Sequence, residues 1–234
     1  TAIGTNAMGT GVVTGDHNTA VGYLAGAALT SGVSNTFTGT VSGDATTTGS
    51  YNTAVGRGSL SANTTASNNT AVGYTALLAN TTGTQNVAVG AAALDANTTG
   101  NENTAVGYGS LSGNTTAAGN TALGWYSMFG TTTGYANVAI GLSALQVQTT
   151  GHENIAIGHQ SLDALTTGSL NTAVGRAAGG AVTTGNDNVA LGYLALNLNT
   201  ASNRNVAIGS EALKTLNVTS DTHVYNTAVG YAAG

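Results

Sequence analysis

Asn69-Thr70-Ala71-Val72-Gly73 decides the fold, because this five-residue word returns, with small substitutions, down the whole chain. Its Asn stands at 18, 35, 52, 69, 86, 103, 120, 137, 154, 171, 188, 205 and 226, and a Gly follows four residues later each time. Every step between starts is 17 residues except the last, from 205 to 226, which is 21. Self-similarity at a fixed short period signals stacked units, each too small to bury a core alone.

The places of one repeat are numbered here from its Asn. Places 2 and 4 are mostly β-branched or Leu (Val87 and Val89, Ile155 and Ile157), and place 3 is Ala except at Phe37. Period-2 alternation ended by Gly predicts a five-residue strand. Place 8 is Ala or Ser, place 9 mainly Leu (Leu60, Leu77, Leu94), and place 13 is Thr from Thr30 to Thr200. Places 9, 11 and 13 share a parity and predict a second strand facing the first, with Gly at place 15 making the turn. The expected fold is all-β: a parallel β-solenoid, or β-roll, of about thirteen 17-residue coils over residues 1–234, one repeat array. Coils stacked at roughly 4.8 Å would make a rod on the order of 60 Å long. Helix is excluded, because Gly and β-branched residues recur before two turns are complete.

Two irregularities stand out. Residues 35–51 carry Phe37 and Thr38 in the strand and Gly43 in a Leu place, which predicts the weakest coil. The longer last step predicts a loop inserted within 217–225. The chain opens inside a repeat word at Thr1 and closes inside another at Gly234, and is read as processed or as a piece of a longer protein, continuing or abutting another copy end to end.

Composition narrows the partners. Charged residues are 6%, the net charge is −5, and Cys and Pro are absent. A thin negative balance argues against a nucleic-acid groove, and no apolar run is long enough to span a membrane. Small apolar residues (41% hydrophobic, only 5% aromatic) suit a thin core between two close backbone layers.

By the parity assumed above, places 1, 3 and 5 point away from the core, yet they are Asn, Ala and Gly nearly throughout. A face held to small side chains predicts close approach of another backbone. Ala20, Ala54, Ala71, Ala88, Ala105, Ala122, Ala139, Ala156, Ala173, Ala190, Ala207 and Ala228 are therefore expected at a subunit interface. Parallel packing about a shared axis, as a side-by-side homotrimer, would set each Ala against its symmetry mates.

The word Asn205-Val206-Ala207-Ile208-Gly209 followed by Ala212, and Asn137 to Gly141 followed by Ala144, resembles the head repeats of YadA-like trimeric autotransporter adhesins. It is also similar to repeat arrays in phage tail fibres. The resemblance implies a parallel β-roll, left-handed in the adhesin heads, with three chains side by side on a cell surface or virion.

Residue patterns for chemistry are sparse. No Gly-x-Ser-x-Gly elbow or calcium-binding repeat is present, and Gly9-x-Gly11 lacks the strand–helix setting of a phosphate loop. His17, His152, His159 and His223 fall at different coil places and read as solvated turn residues, and Asp16, Glu102, Glu153 and Asp187 cluster only loosely near the coil seam. No catalytic residues, metal ligands or cofactor are expected. Two ladders suit binding instead. Place 6 carries Tyr23, Arg57, Tyr74, Tyr108, Trp125, His159, Arg176, Tyr193 and Tyr231, which could stack on sugars or enter a protein partner, or else shield the core corner. Asn-Thr-Thr at places 12 to 14 (Asn63, Asn80, Asn97, Asn114) matches the glycosylation pattern and offers a Thr row for ice. The expected function is a non-enzymatic extracellular fibre or adhesion module, a rigid rod presenting weak binding surfaces to a glycan or cell-surface receptor. An ice-binding solenoid and a polysaccharide-processing tail spike are the alternatives.

Overall fold

A computed structural model describes residues 1–216 and 224–234. The chain is a parallel β-solenoid of about thirteen turns built on the 17-residue repeat, and no helix occurs among the described residues. It divides into two compact units, Thr1–Ala118 and Gly119–Gly234. The first holds β1 (Ala2–Ile3), β2 (Thr19–Val21), β3 (Thr36–Thr38), β4 (Thr53–Val55), β5 (Thr70–Val72), β6 (Val87–Val89) and β7 (Thr104–Val106). The second holds β8 (Thr121–Leu123), β9 (Val138–Ile140), β10 (Ile155–Ile157), β11 (Thr172–Val174), β12 (Val189–Leu191), β13 (Val206–Ile208) and β14 (Thr227–Val229).

Within each unit every strand pairs parallel with the next, one repeat apart. Ala54 lies beside Ala71 and Ala71 beside Ala88, and in the second unit Ala139, Ala156 and Ala173 do the same. Ala207 pairs with Ala228, so strand register survives the 21-residue step. The loop expected within 217–225 falls mostly at 217–223, outside the described residues.

Strands β2 to β14 are three residues long, at places 2 to 4, and their sidedness is opposite to the expectation. Ala20, Ala54, Ala71, Ala88, Ala105, Ala122, Ala139, Ala156, Ala173 and Ala207 are fully buried within their own chain, and Ala190 and Ala228 nearly so. They form the core floor and leave no surface for alanines of another chain to meet. The β-branched residues of places 2 and 4 face outward, half-exposed. The inversion follows from the opposite layer. Leu60, Leu77, Leu94 and Leu111 point inward from it, fully buried, and only Ala on the facing strand leaves them room.

That opposite layer is not the second strand the pattern predicted. It is a run of turns in which places 7, 9 and 17 adopt left-handed backbone: Thr75 (φ 53°), Leu77 (φ 54°) and Gln85 (φ 60°) in one coil, Leu194, Leu196 and Arg204 in another. Such φ values are unfavourable for bulky residues, so something must hold them. The turns interlock with the next coil, as Leu77 N donates to Ala93 O at 3.0 Å and Ala79 N to Asp95 O at 3.0 Å. With this curvature, place 12 also turns inward, and places 1, 3, 8, 9 and 12 together make the core.

Place 5 needs glycine on both counts. Gly22 has φ 138°, and a Cβ there would stand 2.5 Å from Gly39 O of the next coil. The coil at 35–51, expected to be the weakest, carries Phe37 in its core. Its ring fills the space that two place-9 leucines would take: a Cβ on Gly26 would lie 2.8 Å from Phe37 Cδ2, and one on Gly43 closer still to the same ring. The coil is repacked around Phe37, itself fully buried.

Asparagine is buried at place 1 because it is satisfied there. Asn69 N donates to Asn52 Oδ1 (3.0 Å), Asn69 Nδ2 to Gly83 O (2.9 Å), and Asn69 Oδ1 accepts from Asn86 N (3.0 Å) and Asn86 Nδ2 (3.3 Å). The pattern repeats at Asn154, which accepts from Asn171 and caps Gly168 O. Place 12 adds a shorter ladder, Asn97 Nδ2 to Asn80 Oδ1 and Asn114 Nδ2 to Asn97 Oδ1, each 2.8 Å. These ladders satisfy the corner carbonyls that a thin core would otherwise strand.

Candidate binding surfaces

The place-6 residues stand on the surface. In the first unit Tyr23, Tyr74 and Tyr108 are about half exposed and Arg57 is exposed. In the second unit the same holds for Trp125, Tyr193, His159 and Arg176, and Tyr231 is more open still. They form local pairs, not a continuous ladder, because Thr40, Ala91, Leu142 and Ser210 interrupt the row. Arg57 lies over the Tyr74 ring at 5.8 Å, with Nη1 donating to the hydroxyl at 3.4 Å, and Arg176 lies over Tyr193 at 5.7 Å. Trp125 leans on Tyr126, which meets Phe129 edge-on. Each cation lies against its neighbouring ring on an open surface, a contact worth about 0.5–1 kcal/mol.

The Asn-Thr-Thr ladder is mostly internal. Asn63, Asn80, Asn97 and Asn114 are fully buried, which removes them as glycosylation acceptors in the folded chain. Place-13 hydroxyls donate to the next coil, as Thr81 Oγ1 to Thr98 O at 3.1 Å, so only the place-14 Thr is exposed.

The seam at places 16 and 17, whose residues vary from coil to coil, holds the feature that pattern reading missed. In the second unit a groove of about 390 Å³ is lined by His152, Ser169, Leu170, Asn186, Asp187, Asn203 and Arg204. The Tyr135 and His152 rings stack at one end, 4.8 Å apart and 6° from parallel. The row then changes to Ser169, whose Oγ accepts from His152 N at 3.1 Å. At the other end Arg204 Nε is 3.5 Å from Asp187 Oδ2, and its Nη1 donates to the Tyr225 hydroxyl at 3.1 Å. The Tyr225 hydroxyl, foremost, with Asp187 adding, holds the Arg204 proton more tightly than in a free guanidinium. His152 Nδ1 is screened from solvent without a hydrogen bond, and Glu153 Oε1 is 3.6 Å away.

Elsewhere Asp163, of the place-10 row, has its carboxyl pushed above the usual range by burial, partly offset by the Asp163 and Ala164 amides and by His159. Among the described residues no group of three His, Asp or Glu side chains is placed to hold a metal ion, and no helix is long and apolar enough to cross a membrane. His223 lies outside the described residues. Comparison with known proteins finds no matching family model, no matching curated sequence and no matching solved structure.

Proposed function

We propose that the chain is a non-catalytic extracellular fibre or adhesion module, on a cell surface or virion, that assembles with parallel copies of itself, as a homotrimer, and presents its seam and place-6 rows outward. The observation that carries this reading is the outer face of the sheet. Places 2 and 4 contain no charged residue in any coil, only Thr, Val, Ile and Leu. Val55, Leu123, Ile155, Val174 and Ile208 are each more than a third exposed there. A solvated strand face carries charge to resist association, and a flat β-branched one invites it. The interface assigned from sequence to the alanines thus moves to the other parity of the same strand. The likeness of the repeat word to adhesin-head and tail-fibre arrays supports the trimer and the extracellular setting.

The test is the mass of the assembly in solution. Val55→Lys with Val89→Lys puts two charges on the outer face, two coils apart, without touching the core. Native mass measurement or light scattering is expected to show a trimer for the parent chain and a monomer for the variant, with unchanged far-ultraviolet circular dichroism. A monomeric parent, or a variant that remains trimeric, refutes the assembly.

A further inference from the structure

The seam groove of the second unit joins two surfaces that rarely meet by accident on so uncharged a chain. One wall is a ring: His152, backed by Tyr135 in a nearly parallel stack. The stack follows the coil repeat and stops because the next coil supplies Ser169, leaving the groove where a third ring would stand. Leu170, about half exposed, extends the apolar part. The other wall carries hydrogen-bonding groups of both senses, the Asp187 carboxylate that accepts and the Arg204 guanidinium that donates, while the Asn186 amide is spent on Ser169, Thr184 and Asn203.

We propose that this groove binds a neutral pyranose ring of a glycan; this gives the presenting module proposed above a ligand and rests on that reading for its setting. A pyranose has a C–H face that packs on an aromatic ring and a rim of hydroxyls that both donate and accept. Those are the two walls of this groove. Charge selects against an anionic sugar, because Asp187 pairs with Arg204 and Glu153 stands beside His152. Arg204 is held in advance by the Tyr225 hydroxyl and ring, so little side-chain freedom remains to be lost on binding. The volume sits at the small end of ligand sites, which run from about 300 to 1,000 Å³, and suits a short stretch of sugar.

The experiment uses the full chain with the methyl pyranosides of glucose, galactose, mannose and N-acetylglucosamine, followed by saturation-transfer nuclear magnetic resonance and calorimetry. At least one is expected to bind, weakly and saturably. His152→Ala should weaken it about tenfold, the worth of one aromatic contact. His152→Phe, which restores a ring, should retain it, and Lys214→Ala, which removes only a pair with Glu211 outside both the seam and the place-6 row, should leave it unchanged. Circular dichroism of His152→Ala checks that the coil is intact. The proposal is overturned if no pyranoside binds, if binding ignores His152→Ala, or if adenosine binds in a His152-dependent way while every pyranoside fails. Masses recorded on the same samples separate the two readings: a trimer that ignores the sugars refutes the groove alone, and a monomer that binds them refutes the assembly alone.

Discussion

Asn69→Asp, a change of one amide nitrogen to oxygen, is expected to destabilise the first unit by several kcal/mol at neutral pH and by far less in acid. Asn69 is fully buried and uses both ends of its amide. Its Oδ1 accepts from Asn86 N and Asn86 Nδ2, a role the aspartate keeps. Its Nδ2 donates to Gly83 O at 2.9 Å, and there the aspartate sets a charged oxygen against a carbonyl oxygen in a site without water. Only the protonated acid can donate to Gly83 O, so the folded state raises the pKa of the introduced carboxyl above the unfolded value of about 3.9. The sign follows. Below that value the acid is neutral in both states and the penalty is smallest. As pH rises through it the unfolded chain ionises first, and stability falls until the folded pKa is passed. Asn69→Ala is the pH-independent control: it strands the Asn86 N–H for about 1–3 kcal/mol and removes one donor from Gly83 O. Denaturant unfolding at pH 3.5 and pH 7 decides it. A variant equally stable at both would mean that the ladder is wet.

The period, the strand positions and the β-solenoid class are legible in the sequence because stacking turns a one-coil pattern into a repeated word. The direction of each face is not. Alternation separates Asn69, Ala71 and Gly73 from Thr70 and Val72, but which set is inside depends on what stands opposite. Constancy of the small set reads equally as an interface or as a core floor, and Leu77 reaching across resolves it as floor. One signal in the sequence points the same way: the single large residue at place 3, Phe37, coincides with glycine at place 9 in its own coil and the one before, Gly43 and Gly26. Such compensation fits places 3 and 9 sharing a volume, although Gly179 and Gly234 hold place 9 opposite an ordinary Ala.

The turn layer was hidden for a different reason. Left-handed positions usually announce themselves through Gly or Asn, and here Leu occupies most of the place-9 ones, held by bonds between coils that no local pattern encodes. The groove lies in the variable rows, where periodicity carries no information. Tyr135 and His152 nevertheless sit one repeat apart at the same place, so neighbours at a spacing of 17 can be read as stacked side chains once the register is known.

Phe37→Ala should be the most damaging simple truncation in the first unit, about 3–5 kcal/mol, because the cavity opens in two coils at once. The ring is fully buried and stands against Gly26 in one coil and Gly43 in the next, so neither backbone can close on the hole without breaking the ladder of β2, β3 and β4. The same geometry predicts a rescue. Gly26 has φ 60° and Gly43 φ 56°, close to the φ 53° of Leu60 and 54° of Leu77, so leucine at both positions takes on the same left-handed strain that Leu60 and Leu77 already bear under the hold of the next coil. In the parent chain Gly43→Leu clashes with Phe37 and should itself cost about 1–3 kcal/mol. In the triple variant Phe37→Ala, Gly26→Leu, Gly43→Leu, the Ala–Leu packing of the neighbouring coils is restored, and most of the lost stability should return. Denaturant unfolding of the single, double and triple variants measures the coupling between these sites, expected in the range of about 0.5–3 kcal/mol or above for side chains that share a cavity. Additive losses would mean that Phe37 does not occupy the place-9 volume, and the account of why places 1 and 3 face inward would fail with it.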